Sequence, residues 1–222
     1  MLPYLIPMPR PHTMNRLSQV EMDALGHLIE EYSNRPWKLY LLTFMFNQMP
    51  GNRVVQVEII KREVERVYHR LLGAVHRRPN TSYAKEWMPF FVGAPDLVGS
   101  TGGAPKPLAD VLPNDSLHAH CIAGIPLVSR LETDLRRYFL EERDSYIKPD
   151  HPLLRIDVEP IKSNAAYVTG YALKGLRYSF THDDLIMLRG RDGSWRQGRP
   201  LERVEARRRV DREARARLGL GK

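Results

Sequence analysis

The alternation of apolar and polar positions divides this chain into helical and extended stretches. Val20, Leu25, Leu28, Ile29 and Tyr32 repeat at helical spacing and predict a helix over 17–32. Ser18 and Glu21 stand at capping-box spacing, and Leu17 with Met22 can staple the helix entry. Pro36 closes this unit. WKLYLLTFMF, 37–46, is apolar on both alternations, the pattern of a strand covered on both faces. Val57, Val64, Val67, Tyr68, Leu71 and Val75 predict a second helix over 53–75. EWMPFFV, 86–92, reads as a short strand whose proline predicts an edge position. Residues 93–116, rich in Gly, Pro, Ser and Asp, read as a long loop. LHAHCIA, 117–123, is a further strand. Leu127, Leu131, Leu135, Tyr138 and Phe139 predict a helix over 127–143, opened by a second capping box at Ser129–Glu132. LLRIDVEPI, 153–161, is a strand. Asn164 is placed to cap the helix AAYVTGYALK, which Gly175 stops, and RYSF beyond it reads as an edge strand.

From 37 to 161 the order is β-α-β-β-α-β, which predicts an α+β fold with a ferredoxin-like, split βαβ antiparallel sheet. In that topology the first and third strands form the central pair, and the two crossover helices cover one face. The chain then divides into an N-terminal helical segment (1–36), one α+β domain (37–188) and a C-terminal extension (189–222). Alternation along LHAHCIA turns Leu117, Ala119, Cys121 and Ala123 towards the crossover helices. His118 and His120 point together onto the face those helices leave free.

Charge singles out the extension. The chain of 222 residues has a net charge of +8, and residues 189–222 hold 12 Arg and Lys against 5 Asp and Glu. A basic tail containing Arg207, Arg208 and Arg209 suits an anionic polymer, although a solvated helix with internal ion pairs explains it too. The single cysteine, Cys121, excludes an intramolecular disulfide and fits a reducing, cytoplasmic compartment. The opening MLPYLIPMPRP is broken by prolines and lacks the basic start of a signal peptide. LYLLTFMF is far short of the roughly 20 apolar residues a membrane span needs.

Two groupings carry chemistry. His118 and His120, two residues apart on one strand face, are spaced to hold one divalent metal through ring nitrogens; structural histidines are the other reading. Tyr167 and Tyr171 at i,i+4, with Lys174 three residues further, share one helix face. A phenol can attack phosphorus once a cation stabilises the charge on the phosphoryl oxygens, and a neighbouring lysine stabilises the same charge. Packed tyrosines with a snorkelling lysine are the bland alternative.

In this order the motifs resemble the His-hydrophobe-His (HUH) endonucleases, in particular the two-tyrosine rolling-circle replication initiators. LLTFMFN, 41–47, is similar to the first motif, LHAHC to the His-hydrophobe-His motif, and YVTGYALK to the Tyr-x-x-x-Tyr-x-x-Lys motif. The resemblance spans residues 37–176. It implies cutting and rejoining of single-stranded DNA, including a hairpin origin, in replication, plasmid mobilisation or transposition. His118 and His120 are then ligands of a Mg or Mn ion. The nearest candidate for a third ligand is Asp96, in the loop just after FFV. Tyr171 is the nucleophile, leaving a 5′-phosphotyrosine, with Lys174 assisting and Tyr167 taking a second strand. Thr43, Asn47 and the tail arginines are the expected nucleic-acid contacts. No helicase-type GxxxxGK(S/T) phosphate loop is present, so strand separation falls to a separate helicase. The rival classes are a non-catalytic single-stranded nucleic-acid-binding module, stacking bases on Trp37, Tyr40, Phe44 and Phe46, and a metal-dependent hydrolase of small phosphoesters.

Overall fold

The computed structural model describes residues 16–79, 87–97, 114 and 116–189. The first helix, α1 (Gln19–Ser33), begins where its capping signal stands: Ser18 accepts from the Glu21 backbone while the Glu21 carboxylate takes the Ser18 N–H. Leu17 and Met22 are both buried at this entry. Then follow β1 (Trp37–Phe46), α2 (Arg53–Val75), β2 (Phe90–Leu97) and β3 (Leu117–Pro126). Two short helices, α3 (Leu135–Glu141) and α4 (Arg143–Tyr146), lead to β4 (Leu153–Pro160), α5 (Ala165–Tyr178), a 3-10 turn at His182–Asp184 and β5 (Ile186–Arg189).

The five strands form one antiparallel sheet in the order β4-β1-β3-β2-β5. The fold is α+β, and the split βαβ core with β1 and β3 at its centre agrees with the pattern of the sequence. Tyr68 of α2 packs edge-on against Phe91, with ring centroids 5.2 Å apart. Arg66 of α2 donates to the carbonyl of Tyr146 in α4, tying the second crossover to the first. The crossover helices therefore share the face that carries Ala119 and Cys121.

The opposite face is not open. Helix α5 lies across β2 and β3 there, and α1 packs on α5 where Gly26 meets Ala166. Tyr32 of α1 rests on Phe90, 4.7 Å between rings. Gly175 lets α5 approach this closely: a side chain there would collide with the backbone oxygen of Pro95 in β2.

Several expected boundaries differ. Strand β2 runs on to Leu97, through what reads as loop, because pairing with β3 continues from Phe90↔Gly124 to Leu97↔Leu117. It is not an edge strand, since β5 pairs with it from Phe90 to Gly93. Pro89 lies just before the strand, and Pro95 sits beyond the reach of β5, where its missing N–H is not needed. The helix expected over 127–143 begins only at Leu135, because Asp134 rather than Ser129 caps it, accepting from Arg136 and Arg137. The preceding residues cross the molecule, with the Arg130 N–H bonded to the Val75 carbonyl and Leu127 exposed. RYSF forms no strand: Arg177 and Tyr178 finish α5, and Phe180 enters the core. The edge strand is β5 instead.

Candidate functional site

Three strands and one helix meet at a single point on the α5 face. The register sets Thr43 of β1 opposite His120, Ala94 of β2 opposite His120, and Asp96 opposite His118. Alternation then puts Thr43, Asp96, His118 and His120 on one face. Asp96 is therefore a strand residue rather than a loop residue, and its pairing with His118 fixes its carboxylate beside the two imidazoles.

Asp96, His118 and His120 are buried, and their ligand atoms all lie within 4.8 Å of one another. His118 Nε2 is 3.0 Å from His120 Nε2, and Asp96 Oδ2 is 3.5 Å from the first and 3.8 Å from the second. The outer nitrogens decide the protonation pattern. His118 Nδ1 lies 2.7 Å from the Ser116 carbonyl, which can only accept, so that nitrogen carries the proton and Nε2 presents a lone pair. His120 Nδ1 lies 3.0 Å from Thr43 Oγ1, a hydroxyl that can donate or accept. With both imidazoles neutral, His120 Nε2–H donates to His118 and Thr43 donates to His120. When Thr43 accepts instead, both Nε2 atoms turn lone pairs inward. Two imidazoles and one carboxylate, each imidazole held from behind, fit a divalent ion with mixed nitrogen and oxygen ligands.

Helix α5 delivers the remaining groups. Asn164, with a left-handed backbone (φ 55°), caps it by accepting from Tyr167 N–H, and the Glu30 carboxylate of α1 takes the Ala166 N–H. Tyr171 lies 5.0 Å from His120, ring to ring, and is 40% exposed, so its phenol borders both cluster and solvent. Lys174 Nζ is 3.0 Å from Asp96 Oδ2 and 4.0 Å from the centre of the Tyr171 ring. Burial alone would lower the Lys174 pKa. The hydrogen bond and charge of Asp96, with a contribution from Tyr171, outweigh it and hold the group above its ordinary value. Lys174 is therefore an ammonium at neutral pH: a charge and a donor, not a base. Tyr167, one turn nearer the helix start, is 69% exposed.

Of the residues singled out in the sequence, Asp96, His118, His120, Tyr171, Lys174 and Thr43 come together. Thr43 does so as the partner of His120, not as an exposed contact. Asn47 lies past the end of β1, exposed, its backbone bonded to Pro152 and Asn114. Arg207, Arg208 and Arg209 lie outside the described residues. Trp37, Tyr40, Phe44 and Phe46 are core, none more than 8% exposed, so they offer no stacking platform. Two residues that no motif marks are Ser116, whose carbonyl aims His118, and Asn114, whose carbonyl accepts from the Leu117 N–H. Both have left-handed backbones (φ 61° and 64°), and the buried Asn114 side chain ties down Met49 and Asn47. An asparagine tolerates that conformation better than most residues, which was the one signal available.

No family model matches the chain, and searches of curated proteins and of solved structures also return no match.

Proposed function

We propose that this protein is an HUH-type endonuclease that cuts and rejoins single-stranded DNA through a tyrosine. The observation that carries this reading is the convergence of Tyr171 and Lys174 on the Asp96–His118–His120 cluster, from segments far apart in sequence. Such a set has the parts for phosphoryl transfer: a nucleophile at the solvent boundary, a fixed positive charge and a metal site beside it.

Asp96, His118 and His120 would hold a Mg or Mn ion, which when bound polarises the scissile phosphate. Tyr171 Oη attacks phosphorus, so that the Oη–P bond forms as the bond from phosphorus to the 3′ oxygen breaks. The phenol proton leaves to water, and the departing 3′ oxygen takes one up. A 5′-phosphotyrosine and a free 3′-hydroxyl result. Lys174 stabilises the charge on the phosphoryl oxygens. Tyr167, about 6 Å along the helix from Tyr171, suits a second strand during transfer. Burial of Trp37, Tyr40, Phe44 and Phe46 counts against the stacking module.

The test is a denaturing gel of protein incubated with a broad pool of single-stranded oligonucleotides and Mn. A metal-dependent covalent band, lost in Tyr171→Phe and kept in Tyr167→Phe, is expected. A band that survives Tyr171→Phe assigns the wrong nucleophile, and binding without any band favours a non-catalytic module.

A further inference from the structure

We propose that Lys174 is an internal competitor for the metal site, and that metal entry transfers its ammonium from Asp96 to the Tyr171 phenol. This rests on the metal reading of the cluster and is independent of DNA cleavage. The geometry that carries it is a shared atom. Asp96 Oδ2 is the oxygen that faces both Nε2 atoms, at 3.5 and 3.8 Å, and the same oxygen receives Lys174 Nζ at 3.0 Å. A dication seated among the three ligand atoms would bind this oxygen at about 2.0–2.2 Å. Lys174 would then stand on the same oxygen as a second cation, in a buried place where water screens poorly.

The two cations meet that conflict unequally. The metal's ligands are held by strands and backed by Ser116 and Thr43, whereas Lys174 sits at the end of a flexible four-carbon stem. The ammonium moves. Its alternative site is already adjacent: Nζ lies 4.0 Å over the ring of Tyr171. Without metal, Lys174 neutralises a buried carboxylate whose isolated charge would be strongly destabilising. With metal, it is released beside the phenol that borders solvent. Loading the cluster and delivering a positive charge to Tyr171 thus become one event.

Cobalt(II) titration by calorimetry, without DNA, tests this, because two imidazoles still hold cobalt when the carboxylate is altered. Lys174→Met is expected to bind cobalt roughly tenfold more tightly than the wild type. In an Asp96→Asn background the same substitution is expected to change affinity little. Unchanged or weaker binding in Lys174→Met overturns the proposal, and so does an equal gain in both backgrounds, which would be a simple field effect. Should Lys174→Met fail to fold, the wild type keeps the question open to measurement. Its Lys174 ammonium signal in a nitrogen-15 spectrum, assigned by its loss in Lys174→Arg, should move and saturate with added Mg. A signal that stays fixed while Mg binds overturns the handover. If neither wild type nor Lys174→Met binds metal, the metal reading falls as well.

Discussion

Thr43 shows how a single hydroxyl tunes the cluster from behind. It touches His120 Nδ1 at 3.0 Å, and its ability to reverse its hydrogen bond lets His120 present a lone pair inward. Thr43→Val keeps the shape and removes that partner. It is expected to weaken Mn binding by roughly tenfold in calorimetry while the folded spectrum is unchanged. The histidines themselves also contribute to folding. They are 6% and 5% exposed and each bonds a neighbouring segment. His118→Ala should therefore cost about 1–3 kcal/mol in urea unfolding as well as the metal, since it leaves the Ser116 carbonyl without its donor. Cys121 lies on the opposite face, and burial pushes its thiol far above the ordinary range. It should resist thiol reagents in the native protein and react only on unfolding.

Helix α5 owes its position to glycine chemistry that differs between two of its residues. At Gly175 a side chain would strike the Pro95 carbonyl, so Gly175→Ala must push the helix off β2. A loss of about 1–3 kcal/mol is expected, with the covalent DNA band weakened too, because Lys174 and Tyr171 move with the helix. At Gly170 an added carbon would meet nothing within 4 Å. Gly170→Ala should therefore stabilise the protein by about 0.5–1 kcal/mol through helix propensity alone. Thermal unfolding of the two variants checks both signs. Equal shifts would mean that the helix is not seated as described.

At the scale of the molecule the Asp96–His118–His120 cluster joins β2 to β3, and the helix laid over it joins both to α1. A ligand that binds only this folded arrangement stabilises it. Mn at about 100 times its dissociation constant should add about 2.7 kcal/mol to unfolding, and a chelator should remove that gain. No helix among the described residues is long and apolar enough to cross a membrane. The tail lies outside them, and its charge alone supports a prediction. Removing residues 200–222 should weaken binding to single-stranded DNA and flatten its salt dependence, because fewer phosphate counterions are released. An unchanged salt slope would show the tail to be a solvated segment.

Local periodicity in the chain records a good part of this fold. The apolar stripes of α1 and α2, the doubly covered β1 and the Ser18 cap were legible because each depends on side chains a few residues apart. So were the common side of His118 and His120 and the common face of Tyr167, Tyr171 and Lys174. Long-range packing set which face α5 covers, how far β2 extends and that β5 shields it. It alone set Lys174 on Asp96 and Thr43 behind His120. Those outcomes rest on strand register and on pairing between charges 78 residues apart in the chain, Asp96 and Lys174. A single segment carries no record of such partners. The long-range burial that makes the pairing favourable exists only once the sheet and its two helical layers have closed around it.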